Sequence, residues 1–280
     1  MKPTIAPPPN QATLFEAHRK LLDEAVTWLN SAQPPIRTIG DRMLMALTSH
    51  IIQAGSAIQR LCETGHAGEA APLARSMLSA GVILAYIGED RDGRAISYIQ
   101  EDRRVRDAWI ADVEREAKKA EMAGKEFFVP KAERDYIAAE QLRFTTMEDA
   151  KISAFAAQGF VGAKAGTNPS TWDGFNNERD RFEKMNGQRW YLAYYKKFSS
   201  EIHVSANVLA AILAESYAGF ASYGAKYQDP LHVLKVSAEV ILSALTQVDV
   251  VYGLKQDAPV RAMNSRIGAA LTAFARQTGR

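Results

Sequence analysis

The 280-residue chain has one cysteine, Cys62, so it can form no internal disulfide. With only five histidines besides, it has no zinc-finger framework, and a reducing, cytoplasmic setting fits. Charge of one sign is also lacking. Lys and Arg number 34 and Asp and Glu 32, a net charge of +2, whereas a protein that coats DNA is usually more lopsided. Uninterrupted apolar runs are missing too. Met43 to Gln59 is free of charge but holds His50, Gln53 and small polar residues. Val236 to Leu254 is broken by Glu239 and Asp249. A membrane span needs about 20 mostly apolar residues, so both stretches read as core helices and no membrane association is expected. Residues 1–10, MKPTIAPPPN, lack a signal peptide's apolar core, and their prolines resist helix; a disordered tail is expected there. Phosphate-loop, dinucleotide, zincin and nucleophile-elbow signatures are absent. Glu63 to His66 matches one Glu-x-x-His, but carboxylate di-iron bundles need two copies and two further glutamates. No metal and no cofactor are therefore expected.

What is present is an ordinary globular composition, 47% hydrophobic and 24% charged. No stretch alternates apolar and polar residues between hairpin turns. Prolines and glycines instead cut the chain into helical segments. They are expected at 11–30 (with Asn10 as N-cap), 38–63, 72–87, 92–123, 130–157, 177–185, 188–216, 230–252 and 258–277. The expected fold is all-α, a bundle of about eight to nine helices in a single domain over 11–280.

Charge is unevenly spread. Between Glu101 and Glu140, 20 of 40 residues are charged; between Glu201 and Arg280, 13 of 80 are. The first stretch predicts a projecting, charged helical arm over 94–157, supported by pairs such as Glu114 with Lys118 and Glu121 with Lys125. The arm reads either as a solvated helix pair or as a partner-binding hairpin, and a homodimer is expected. The connection at 158–176 is long for a bundle. Trp172 within it argues against full disorder. It is either a lid over the site discussed next or a surface loop pinned by Trp172.

Interior polar residues carry the functional signal. The segment from Pro72 to Ile87 is apolar in nearly every direction, which marks a buried helix. Arg75 sits in it, in one stripe with Ser79, Val82 and Tyr86. A buried guanidinium without a partner is costly, so Arg75 should meet a carboxylate, a carbonyl cluster or a bound anion. Farther on, Tyr191, Tyr195, Phe198, Ile202, Ala206, Leu209 and Leu213 form an apolar stripe at helical spacing, with the flank Leu192, Lys196, Ser199 and His203 beside it. Ser199 and His203 are four residues apart and can share a hydrogen bond. Histidine is the usual acid/base near neutral pH. The same pair also reads as a satisfied boundary histidine, and the aromatic run Trp190 to Tyr195 reads more simply as core packing than as a stacking platform.

Three segments taken together resemble an uncharacterised bacterial family catalogued as a domain of unknown function. They are ETGHAGEAAPLARSMLSAGVILAYI (Glu63 to Ile87), the lone Trp172 before a short helix, and YLAYYKKFSSEIHVSA (Tyr191 to Ala206). The family's motif has Glu four residues after the arginine; this chain has Ser79. Arg75 then needs another acid, with Glu201, Glu215 and Glu239 as candidates. The resemblance implies an all-helical bacterial protein and assigns no reaction. A distant kinship with HEPN-like helical domains of phage-defence and toxin systems is suspected. Their Arg, four to six residues, then His also matches Arg60 to His66, but 20 arginines and five histidines give about one such match by chance. Lys197, with five residues between it and His203, is a Lys-for-Arg version that lacks the planar fork for phosphate.

Two functional readings follow. One is a metal-independent, RNA-acting nuclease of HEPN-like type, with His203 as acid/base, Ser199 orienting it, and Arg75 or Lys197 on the phosphate. In that reading Tyr195, Trp172 and Lys196 are ligand-binding or lid residues. The other is a non-enzymatic sensor or scaffold that binds a small anion at Arg75 or a protein along the charged hairpin.

Overall fold

A computed structural model describes residues 9–127, 129–156, 171–196, 198 and 230–278. Among these residues every regular element is helical. Nine α-helices run in chain order: α1 (Pro9–Ala32), α2 (Ile39–Glu63), α3 (Ala71–Glu89), α4 (Arg91–Met122), α5 (Lys131–Ala156), α6 (Glu178–Lys184), α7 (Gln188–Trp190), α8 (Leu231–Tyr252) and α9 (Asp257–Gln277). α7 runs on as a π-helical turn, Tyr191–Tyr195. The all-α expectation holds, and most helix ends fall within two residues of the positions that proline, glycine and capping residues predict. At α6 the Asn177 side chain accepts the Asp180 N–H at 3.1 Å, the cap that its position before the helix suggests.

The chain divides into two compact units. The first comprises Met1–Arg37, Asp41–Glu89 and Asn177–Arg280. Its centre is α3 packed on α8. Both are apolar on most sides, and Ala74, Met77, Leu78, Ile87, Leu234, Val236, Val240 and Leu245 are fully sealed from water. Gly81 lets the two helices close up: a Cβ there would lie 3.0 Å from Val240 Cγ1. α3 is the one helix, among the described residues, long and apolar enough to cross a membrane. Here 56% of that window is buried inside the protein.

α1 and α9 complete this unit by heptad-like stripes, Leu14, His18, Leu21, Ala25 and Trp28 on one and Val260, Met263, Ile267 and Phe274 on the other. Buried acids are met by donors rather than left as bare charges. Asp41 accepts the Arg37 N–H at 2.8 Å and the Tyr252 hydroxyl at 2.9 Å. Asp249, which interrupts the apolar run, accepts the Gln256 N–H at 2.8 Å and closes the turn after α8. Cys62 is buried on α2, and burial pushes its thiol up to about 12.

The second unit comprises Thr38–Gly40 and Asp90–Asn176. Gly40 is required here. A Cβ on it would lie 2.5 Å from the Arg91 carbonyl carbon, and its N–H donates to Asp92 at 2.9 Å. α4 and α5 form the expected charged hairpin, but not through the expected pairs. Glu114 turns to Arg134 of α5, whose Nη1 lies 3.3 Å from both carboxylate oxygens, and makes no pair with Lys118 among the described residues. Lys125 lies beyond the end of α4, off the helical face that Glu121 shares. The ladder on α4 is built by other pairs, Arg106 with Asp102 at the same four-residue spacing, and Arg104 with Glu101 and Lys119 with Glu116 at three. Trp172 is buried and meets Tyr98 of α4 edge-on, with ring centroids 4.9 Å apart. That contact and the Asp173 carboxylate, which accepts the Phe175 N–H at 3.1 Å, anchor the end of the long connection. Residues 157–170 of that connection lie outside the described residues.

Candidate functional site

The site is built on α3, α6, α7 and the π turn of the first unit. α3 carries Arg75 beside Ala74, Met77 and Leu78, whose burial holds the helix rigid. Arg75 itself is half-buried. Its Nη2 donates to the Tyr195 hydroxyl at 3.1 Å, and its guanidinium carbon lies 4.9 Å from the centre of the Tyr195 ring. Stacking of this kind suits the flat, delocalised guanidinium. Among the described residues no carboxylate pairs with Arg75. Glu239, one of the acids considered for that role, does not reach it; Glu201 and Glu215 lie outside the described residues.

Tyr195 is held by an aromatic cluster. Phe182 of α6 is fully buried, 5.2 Å from Tyr195 and 5.7 Å from Tyr191 between ring centroids. Tyr191 and Tyr195 stack at 5.5 Å. The sequence stripe is real at this end: Tyr195 and Phe198 are buried, joined by Tyr194. The opposite flank faces water, with Leu192 59% exposed and Lys196 exposed. The backbone here is a π turn, which adds a residue to the ladder and recurs at functional sites. Lys197, Ser199 and His203 lie outside the described residues.

Close by, Gly81, Val82 and Ala85 of α3, the turn Met185 to Gly187, Arg189 and Trp190 of α7, and Ser243 of α8 line a cleft of about 340 Å³. The sequence reading named Val82 and Trp190 only as packing residues and placed no site here. Gly81 and Ala85 are the only signal for it, since small residues on an otherwise bulky helix leave room beside it.

A second polar pair was also missed. His18 Nε2 lies 3.0 Å from Ser237 Oγ. Burial holds the imidazole down at about pH 4, against weaker upward pulls from Gln59 and Glu63. Gln59 donates to the Phe15 carbonyl at 3.0 Å and to Glu63 at 2.7 Å. The pair resembles a nucleophile with its base, but both residues are fully buried, so no substrate reaches them. It is a tie between α1 and α8. Glu63 also pairs with Arg19, and His66 lies 3.7 Å from Glu69, so both ends of the Glu-x-x-His match are otherwise engaged. Among the described residues no three His, Cys, Asp or Glu side chains group as metal ligands.

Residues 41–220 match the family described as Family of unknown function (DUF5677). No curated protein and no solved structure matches the chain.

Proposed function

The chain belongs to this family of unknown function, and on that premise we propose that it recognises a phosphate-bearing ligand through Arg75 and Tyr195. One observation carries the reading: a half-buried guanidinium rests on a buried tyrosine and has no carboxylate partner among the described residues. A charge held partly out of water gains strongly from an anion. The Tyr195 hydroxyl accepts one N–H from Arg75 and its ring lies against the guanidinium, which together fix the fork in place. The guanidinium fork thus offers several N–H donors toward one oxyanion. The catalytic form of this reading is metal-independent cleavage of RNA. It is supported by the sequence that follows Tyr195, where Lys197 can add charge and Ser199 can orient His203 as acid/base.

Calorimetric titration with inorganic phosphate and pyrophosphate tests the binding. Arg75→Met should weaken it by about tenfold or more. Single-stranded RNA incubated with the protein in a chelator tests the chemistry, with His203→Ala as control. Cleavage by the ribose hydroxyl would leave a cyclic phosphate end, lost in His203→Ala. Phosphate binding without cleavage means a sensor. Equal phosphate affinity in the wild type and a folded Arg75→Met protein overturns the reading.

A further inference from the structure

The cleft between α3, α7 and α8 goes beyond the Arg75 site. Its walls are apolar where they meet the core: Val82 and Ala85 on one side, Met185 on another. Trp190 is half-buried, and a Cβ on Gly81 would lie 4.0 Å from its ring atom Cζ3. Glycine at that position therefore gives the indole a flat neighbour and keeps space open beside it. An indole and a thioether at the edge of a small cleft favour a planar aromatic ring. At about 340 Å³ the cleft lies at the small end of the range of ligand sites, roughly 300–1,000 Å³.

Its polar groups are few and placed at the mouth. Arg189 is exposed and pairs with no carboxylate among the described residues. Asn186 is fixed in the left-handed region at φ 56°, which the hydrogen bond from the Gly187 N–H to the Phe182 carbonyl at 2.7 Å helps to hold. Ser243 brings an exposed hydroxyl from α8. An apolar seat with a cation at its rim that meets no carboxylate among the described residues is complementary to an apolar ring that carries a single anionic arm.

We infer that this cleft binds a small planar aromatic ring bearing a short anionic arm, the ring against Trp190 and the arm at Arg189. A nucleotide phosphate and an aryl carboxylate both have this chemistry, so adenosine monophosphate and indole-3-acetate serve as the two probes. Binding is followed by calorimetry and by quenching of tryptophan fluorescence. Ser243→Trp fills the cleft from an exposed position and leaves the core intact. Arg189→Met removes only the cation. Both variants are first checked for unchanged melting.

At least one probe should bind the wild type, with the stronger of the two identifying the arm. Ser243→Trp should abolish that binding, and Arg189→Met should weaken it by about tenfold. Arg75→Met should leave it within twofold, which separates this cleft from the Arg75 site. The inference is overturned if neither probe binds. It is also overturned if binding survives Ser243→Trp, or falls with Arg75→Met but not with Arg189→Met. The last result would assign the ligand to Arg75 and leave the proposed function standing.

Discussion

The α3–α8 pair and the α4–α5 hairpin are both helix pairs, yet they are held together by different physics. α3 and α8 meet through apolar side chains sealed from water, with glycine at a point of near contact. α4 and α5 meet sparsely, and α4 is lined by ion pairs that are largely open to solvent. Large apolar residues are left outside on the hairpin, with Trp109 53%, Tyr136 66% and Met122 81% exposed. Burial of apolar area is the large term in stability, and exposed ion pairs contribute little. Tolerance to substitution should therefore differ sharply between the two pairs. The same contrast explains why the candidate sites lie on the first unit: half-buried charge acquires its affinity for a ligand from a rigid, water-poor surround.

The largest break in this comparison should come from Leu78→Ala on α3. Leu78 is fully buried, and truncating such a residue costs about 2–5 kcal/mol. Urea unfolding should report that loss, and a change below about 1 kcal/mol would mean that α3 is not the centre of the core.

A second, smaller effect should appear on the acid side, through His18. Its folded value of about 4 lies below its ordinary 6.5, so the unfolded chain takes the proton first. Stability is unaffected above pH 6.5 and falls as pH drops from there toward 4. By pH 4.5 the loss attributable to His18 should be on the order of 2–3 kcal/mol. His18→Gln should remove that share of the acid slope, measured as the difference in urea midpoint between pH 7.5 and 4.5. An identical slope in wild type and variant would show that His18 titrates normally.

The smallest effect sharpens the contrast from the hairpin side. Trp109→Ser should change stability by less than about 0.5 kcal/mol, because the ring is already half in water. A larger loss, or a fall in sedimentation rate, would reveal that something covers this face in solution.

Much of the fold was legible because helix punctuation is local. Proline, glycine and a capping asparagine mark most ends, and 3.6-residue periodicity marks the faces. The π turn was not legible, since the run Tyr191 to Tyr195 has the same apolar spacing whether the ladder is α or π. Burial alone required a partner for Arg75, and the structure places Tyr195 against it. Tyr195 was not foreseen beside it, because charge pointed to a carboxylate, a carbonyl cluster or an anion while Tyr195 stood in the apolar stripe. A phenol belongs to both classes: its ring packs in the core and its hydroxyl meets the guanidinium. His18 was overlooked although the signal was present. It stands on the same face as Leu14, Leu21 and Ala25, so its burial follows from spacing alone. Ser237, its partner, lies 219 residues away, and no local rule brings them together.

The sole thiol gives the molecule a built-in clock. Cys62 is hidden and holds its proton up to about 12, so an aqueous thiol reagent reacts only when α2 comes away from its neighbours. With no other cysteine to compete, the rate of that single reaction reads how often the first unit opens. Any ligand that binds the closed form would slow the clock by as much as it stabilises the fold.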